Sequence, residues 1–265
     1  MKNIFKLTLA AALVASSAGV SHADLTYQGA VGLPLNPTAQ LPAQGGARVQ
    51  LNYNDAGDSF VGIEGLDYKL GGLAAAARLG SSRFEINGVI QQGDLDLQGE
   101  SEKNTGFGVG LKYLISRETE DAGVRLAVGA GYNDIPLGFD EFELKNTYAY
   151  FVATKSLSAI EEGKAPITGH LGLRWDDFEA EGEIGSISDD KFSVFAGVEV
   201  PVTRDGQFQI VGEAQSKNID GGKSPYSIGV RYRPAGKPFG ASIGLQRQGL
   251  GDSGLYLQAG YTFGG

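Results

Sequence analysis

The chain has 265 residues, 42% of them hydrophobic and regularly spaced, with 41 glycines, one methionine and no cysteine. That composition excludes a disulfide scaffold and argues against disorder. With 31 acidic against 22 basic residues and a net charge of −9, the chain lacks the basic face that phosphate binding needs, so nucleic acid is a poor partner.

Lys2 and Lys6 open a basic start, Leu7 to Val20 is an apolar run rich in alanine, and Ser21-His22-Ala23 has the small-x-small form of a cleavage site. This reads as a secretory signal, residues 1–23, cut after Ala23. The apolar run is 14 residues long, short of the roughly 20 that a spanning helix needs. Cleavage leaves 242 residues from Asp24, with 20 basic against 31 acidic side chains, a net charge of −11.

Residues 24–46 form the least regular stretch. Pro34, Pro37 and Pro42 fall close together and exclude a central strand there, although Leu25 to Val31 could make a short first strand. Gly32-Leu33, Pro37-Thr38-Ala39 and Gly45 resemble the entry segment of exopolysaccharide-associated barrels of the YjbH type. That resemblance implies a role in surface polysaccharide export. The same segment could instead fill the lumen of a barrel.

From Ala47 apolar residues alternate with polar or small ones, and the pattern predicts strands near 47–54, 59–69, 73–79, 83–92, 105–115, 122–132, 145–155, 166–175, 190–201, 206–216, 225–233, 238–247 and 254–263. Phe107/Val109/Leu111/Tyr113 against Gly108/Gly110/Lys112 is a clear example. One face suits lipid and the other a polar interior. The longer connections, 93–104, 133–144, 176–189, 217–224 and 248–253, alternate with shorter ones, which places both termini at one end and requires an even strand number. Leu25 to Val31 as a strand gives fourteen; the loss of one short N-terminal ribbon gives twelve. Asp55-Ala56-Gly57-Asp58 and Gly71-Gly72 read as hairpin turns and favour fourteen.

The polar face carries Arg48, Lys112, Arg125, Arg174, Arg231 and Arg233 with Glu85, Glu199 and Glu213. They are expected to line a lumen, because a charge facing lipid at mid-membrane costs about 2–4 kcal/mol. His170, the lone histidine after signal cleavage, sits among them beside Arg174. No serine lies near it in sequence, so a lumen role is expected rather than a catalytic one. Gly108, Gly110, Gly129, Gly197, Gly229, Gly240, Ser242, Gly244 and Gly260 are small interior positions that leave space for an open lumen. Asp176, Asp177, Glu179, Glu181, Glu183, Asp189 and Asp190 read as a solvated hairpin extension above the membrane, ahead of a divalent-ion site.

The last strand, Gly254 to Phe263, puts Leu255, Leu257, Ala259, Tyr261 and Phe263 on one face. It resembles the terminal strand of Gram-negative outer-membrane β-barrels, whose final aromatic is read by the barrel assembly machinery; here Gly264 and Gly265 follow it. On that resemblance Tyr261 and Phe263 carry the assembly signal. The expectation is an all-β protein with one antiparallel transmembrane barrel over residues 47–265, in contact with outer-membrane lipid and lipopolysaccharide, with no metal, cofactor or catalytic residue. A porin-like passive channel for small polar solutes leads. An envelope-assembly or exopolysaccharide-export accessory barrel is the alternative, and a lipid- or glycan-modifying enzyme using His170 as base comes third.

Overall fold

The computed structural model describes residues 24–57, 59–60, 63–97, 100–116, 123–137, 142–158, 165–182 and 185–264; the expected signal, 1–23, and Glu183 lie outside them. The described residues form strands β1 (Ala47–Asp55), β2 (Ser59–Phe60), β3 (Ile63–Glu64), β4 (Leu66–Arg78), β5 (Phe84–Leu97), β6 (Glu100–Ser116) and β7 (Val124–Pro136). They continue with β8 (Phe142–Ser156), β9 (Thr168–Gly182), β10 (Gly185–Pro201), β11 (Phe208–Gln215), β12 (Tyr226–Tyr232), β13 (Phe239–Arg247) and β14 (Gly254–Phe263). β1 and β4 to β14 close into a twelve-stranded antiparallel barrel, in which β1 pairs with both β4 and β14. β2 and β3 pair with each other as a separate ribbon.

The preferred count of fourteen is therefore corrected to the alternative of twelve. Gly71-Gly72 is not a turn: β4 runs straight through it, with Gly71 opposite Gln92 and Gly72 opposite Gln91. The expected strands 59–69 and 73–79 are thus mostly one. Leu25 to Val31 is not a barrel strand, since Leu25 and Val31 bridge each other. The expected loops 93–104 and 176–189 are also largely strand. β5 pairs with β6 up to Leu97 opposite Glu100, and β9 with β10 up to Gly182 opposite Gly185. The barrel is tall from β4 to β10, at 13 to 17 residues per strand, and low from β11 through β14 to β1, at 7 to 10.

The alternation resolves as inside-out packing. Phe107, Val109 and Leu111 on the outer face of β6 are 50–54% exposed, while inward-facing Lys112 is 1% exposed. Outward aromatic and aliphatic side chains give way to charge at a common level: on β9, Leu171, Leu173 and Trp175 are followed on the same face by Asp177, Glu179 and Glu181. Beyond that level Lys145 bridges Glu143 at 2.8 Å and Glu181 at 3.1 Å. Asp177, Glu179 and Glu181 of the acidic stretch thus lie outward as the extension expects, on strands longer than the roughly 9–11 residues that cross a bilayer, whereas Asp176 is buried. A closed antiparallel barrel satisfies its backbone without an edge, so an apolar exterior is tolerated. The chain is a closed antiparallel β-barrel with an apolar exterior and a polar interior, the arrangement of a membrane-spanning barrel.

Ala47 and Phe263 pair at one end, so the barrel's first and last strands open onto one mouth, here the near mouth. At the far mouth the inner face of β4 and β5 is apolar. Leu66, Tyr68, Leu70 and Leu95 cluster with Ala56, Leu137 and Leu250 from the connecting segments. The Tyr68 hydroxyl donates to Pro136 O at 2.6 Å. Gly93 permits that closure, since a Cβ there would lie 2.1 Å from Pro136 O.

Candidate functional site

A stretch carrying Pro34 and Pro37 cannot join a ladder, so its backbone groups must find partners elsewhere when buried. Residues 24–41 meet that need by folding into the barrel. Leu25 bridges Val31 and Gly32 bridges Pro37, making two tight loops. Gly29 turns the first at φ +96°, and a Cβ there would sit 2.7 Å from Gly88 O of β5, so both conformation and space demand glycine.

The wall supplies the remaining partners. Gln50 accepts from Leu25 N at 3.1 Å and donates to Leu25 O at 2.7 Å. Glu85 accepts from Val31 N at 3.0 Å. The Lys112 ammonium donates to Val31 O and Gln40 O, both at 2.8 Å, and pairs with Glu85 at 2.9 Å. Gln91 donates to Tyr27 O at 2.8 Å and Arg174 to Gln28 Oε1 at 2.8 Å. Glu213 accepts from Leu35 N at 2.7 Å, from Asn36 N at 2.9 Å and from Asn36 Nδ2 at 3.1 Å. Side chains of at least ten of the twelve barrel strands hydrogen-bond to the segment.

The order of these contacts traces the path. Asp24 meets Arg48, at the start of β1, and Arg231 and Arg233, at the end of β12, all near the near mouth. Gln28 reaches Arg174 midway along β9, and Leu35 and Asn36 reach Glu213 on β11. Gly45 N then donates to Gly80 O, back at the near mouth. The segment enters and leaves by one opening.

Its fully buried charges balance. Asp24, Glu85, Asp176, Glu199 and Glu213 face Arg48, Lys112, Arg174, Arg231 and Arg233, five acids and five bases, all buried. A buried ion left alone is costly, so neutrality lets this interior close without counterions. Arg231 bridges Asp24 and Glu199, the latter at 2.8 Å. Burial opposes ionisation of Asp24, but the guanidiniums of Arg231, Arg233 and Arg48 prevail and hold its carboxyl well below the usual range. Thr154 Oγ1 accepts from Ala39 N at 2.9 Å and lies 2.9 Å from His170 Nδ1, whose Nε2 lies 3.1 Å from Glu199 Oε1.

Arg48, Lys112, His170, Arg174, Glu199, Glu213 and Arg231 thus all face inward, and the structure joins them around the segment. Arg125 faces the same interior opposite Thr154, half-buried. Tyr261 and Phe263 lie outward at the near mouth, ring centroids 4.9 Å apart. The expectation that small inner positions leave the lumen open is corrected. A Cβ at Gly129 would lie 2.3 Å from the Tyr150 ring, at Gly172 2.1 Å from Phe195, at Gly229 2.2 Å from the Tyr256 hydroxyl, at Gly260 2.5 Å from Arg48 and at Gly197 2.2 Å from Leu33. Each glycine is the notch for a large neighbour.

Sequence reasoning missed Asp24 and Thr154, and it set Asp176 in the outer acidic stretch. Asp176 points inward, accepting from Arg174 Nε at 2.8 Å and from Asn146 Nδ2 at 2.9 Å. The period of two running through His170, Arg174, Asp176 and Phe178 was the signal. Among the described residues no three His, Asp or Glu side chains converge as metal ligands.

No protein-family model matches the chain, and no curated protein matches it. Among solved structures it is similar to the translocator domain of the autotransporter NalP from Neisseria meningitidis, at 13% identity and TM-score 0.46, over 84% of this chain and 89% of that one. It is also similar to the β domain of the Bordetella autotransporter BrkA, at 10% identity and TM-score 0.47, over 83% and 99% of the two chains. A Rhodopseudomonas blastica porin carrying three substitutions gives 13% and 0.34, over 83% and 98%. Likenesses at these values say nothing of function.

Proposed function

We propose that this chain, a closed twelve-stranded barrel of the outer-membrane type, is a gated conduit for small polar solutes, shut while residues 24–41 are seated and open when they withdraw. The observation that carries this reading is the mode of seating. The segment is held by wall side chains bonding to its backbone, and it enters and leaves by one mouth, so it can withdraw without unthreading. Such bonds are each worth about 1–3 kcal/mol when charged, and they exchange for water on release.

The same reading places the protein in the outer membrane after cleavage at Ala23, among lipid and lipopolysaccharide, inserted by assembly machinery that reads Tyr261 and Phe263. It gives the chain no catalytic role: His170 and Thr154 lie buried beneath the seated segment. The neutral network and the apolar cap at the far mouth favour a second reading, a permanently closed barrel serving envelope assembly or exopolysaccharide export.

Planar-bilayer recordings separate the two. The mature protein should show little conductance, and deletion of residues 33–42 should produce discrete openings while heat-modifiable gel migration is kept. Neutralising Arg125, Arg174 and Arg231 in that background should shift ion preference toward cations. A folded deletion variant that stays silent would retire the conduit and leave the closed barrel.

A further inference from the structure

The outer wall carries a feature that neither the strand pattern nor the lumen explains. Leu51, Ala259, Ala241, Tyr232 and Phe208 lie opposite one another in a single row across β1, β14, β13, β12 and β11. Two adjacent alanines therefore sit between large outward side chains. The result is an apolar notch of about 490 Å³ on the lipid face, floored by Ala241 and Ala259 and walled by Phe208, Tyr232, Ile243 and Leu257. That volume lies within the roughly 300–1,000 Å³ of ligand sites.

Phe208 also lines a second cavity of about 410 Å³, formed by the turn before β11 from Thr203, Arg204, Asp205 and Gln207. Apart from Phe208 its lining residues are polar, and it opens at the near mouth. Asp205 is occupied within the turn, held below the usual carboxylate range by hydrogen bonds from Thr203 and Gln207. Arg204 is exposed and enters no ion pair among the described residues, and the same holds for Lys237 in the next turn at that mouth, two residues before Phe239. Phe239 closes on Tyr232 at 6.3 Å, and Tyr232 on Phe208 at 4.6 Å, so an aromatic shelf joins both cations to the notch. The turns thus present positive charge, unpaired among the described residues, beside an apolar slot on a chain that is acidic overall.

We propose that the notch and its rim form a binding site for one anionic glycerophospholipid of the leaflet at the near mouth. An acyl chain lies over Ala241 and Ala259, and the phosphate meets Arg204 and Lys237. Burying a chain against side chains rather than mobile lipid gains dispersion contact, and cations near a membrane surface attract anionic headgroups. The site rests on the membrane placement and is independent of whether the lumen conducts.

Native mass spectrometry of the detergent-folded mature protein, titrated with phosphatidylglycerol or with phosphatidylcholine, tests it. One phosphatidylglycerol should bind saturably and in preference to phosphatidylcholine. Arg204→Gln with Lys237→Gln should weaken that binding by about 10- to 30-fold, as two rim cations predict. Ala241→Phe with Ala259→Phe should fill the notch and abolish it, with heat-modifiable migration unchanged as proof of folding. Equal binding of the two lipids, or binding indifferent to both variants, would overturn the site. So would a dimer that the Ala→Phe pair disrupts, since a second copy of the chain would then occupy the notch.

Discussion

Glu213→Gln is the sharpest perturbation of the seated segment. Its carboxylate takes Leu35 N and Ser227 Oγ on one oxygen, both at 2.7 Å, and Asn36 N and Nδ2 on the other, at 2.9 and 3.1 Å. Three of those partners are N–H donors, so the group must act as an acceptor at both oxygens. Glutamine keeps one acceptor. In its better orientation the amide oxygen retains Asn36, the Ser227 hydroxyl rotates to accept, and Leu35 N–H is orphaned. An orphaned buried donor costs about 1–3 kcal/mol, and loss of charge assistance from the surviving bonds adds about 2 kcal/mol. The interior also becomes unbalanced, with four acids against five bases. A cost of about 3–5 kcal/mol to seating corresponds to about 10²- to 4 × 10³-fold in the population of the unseated segment. Hydrogen exchange read by mass spectrometry should then show faster exchange around Leu35 and Asn36 by that factor, while amides of β5 to β10 stay protected. Unchanged protection of Leu35 and Asn36 in a folded barrel would refute the claim that Glu213 holds the segment in place.

Two further outcomes follow from the packing. Gly129→Val forces a side chain into the Tyr150 ring and should lower the urea midpoint by an amount equivalent to about 1–3 kcal/mol, whereas Gly71→Val, with open space around its Cβ position, should leave the midpoint nearly unchanged. Phe263→Ala removes an outward aromatic at the near mouth and should reduce folded yield in membranes far more than Phe192→Ala, an outward-facing ring that is 76% exposed; equal yields would remove the terminal aromatic from assembly.

The inner acids and bases show where sequence reading ended. Arg48, Lys112, Arg174, Glu199, Glu213 and Arg231 were legible as inward because a period of two allows only two faces, and only one face tolerates charge. Their partners were not. Arg231 and Asp24 meet although they stand far apart in the chain, and Glu213 holds Leu35 and Asn36 across 177 or 178 positions. No local pattern encodes such pairings; they exist because closure of β1 on β14 brings both ends of the chain to one mouth. The glycine rows were misleading for a related reason. Gly129 and Gly197 are small in their own strands, but their volume belongs to Tyr150 and Leu33, which arrive from elsewhere.

Alternation and the terminal aromatic strand by themselves determined an antiparallel barrel with an apolar exterior, because side-chain direction is a local property of extended backbone. Proline placement likewise kept residues 34–42 out of the sheet, but it left Leu25 to Val31 open as a strand. The strand number, the course of β4 through Gly71-Gly72 and the seating of the N-terminal segment were decided by tertiary structure. Each depends on which groups meet across the closed interior, where hydrogen bonding, volume and charge must all be satisfied together.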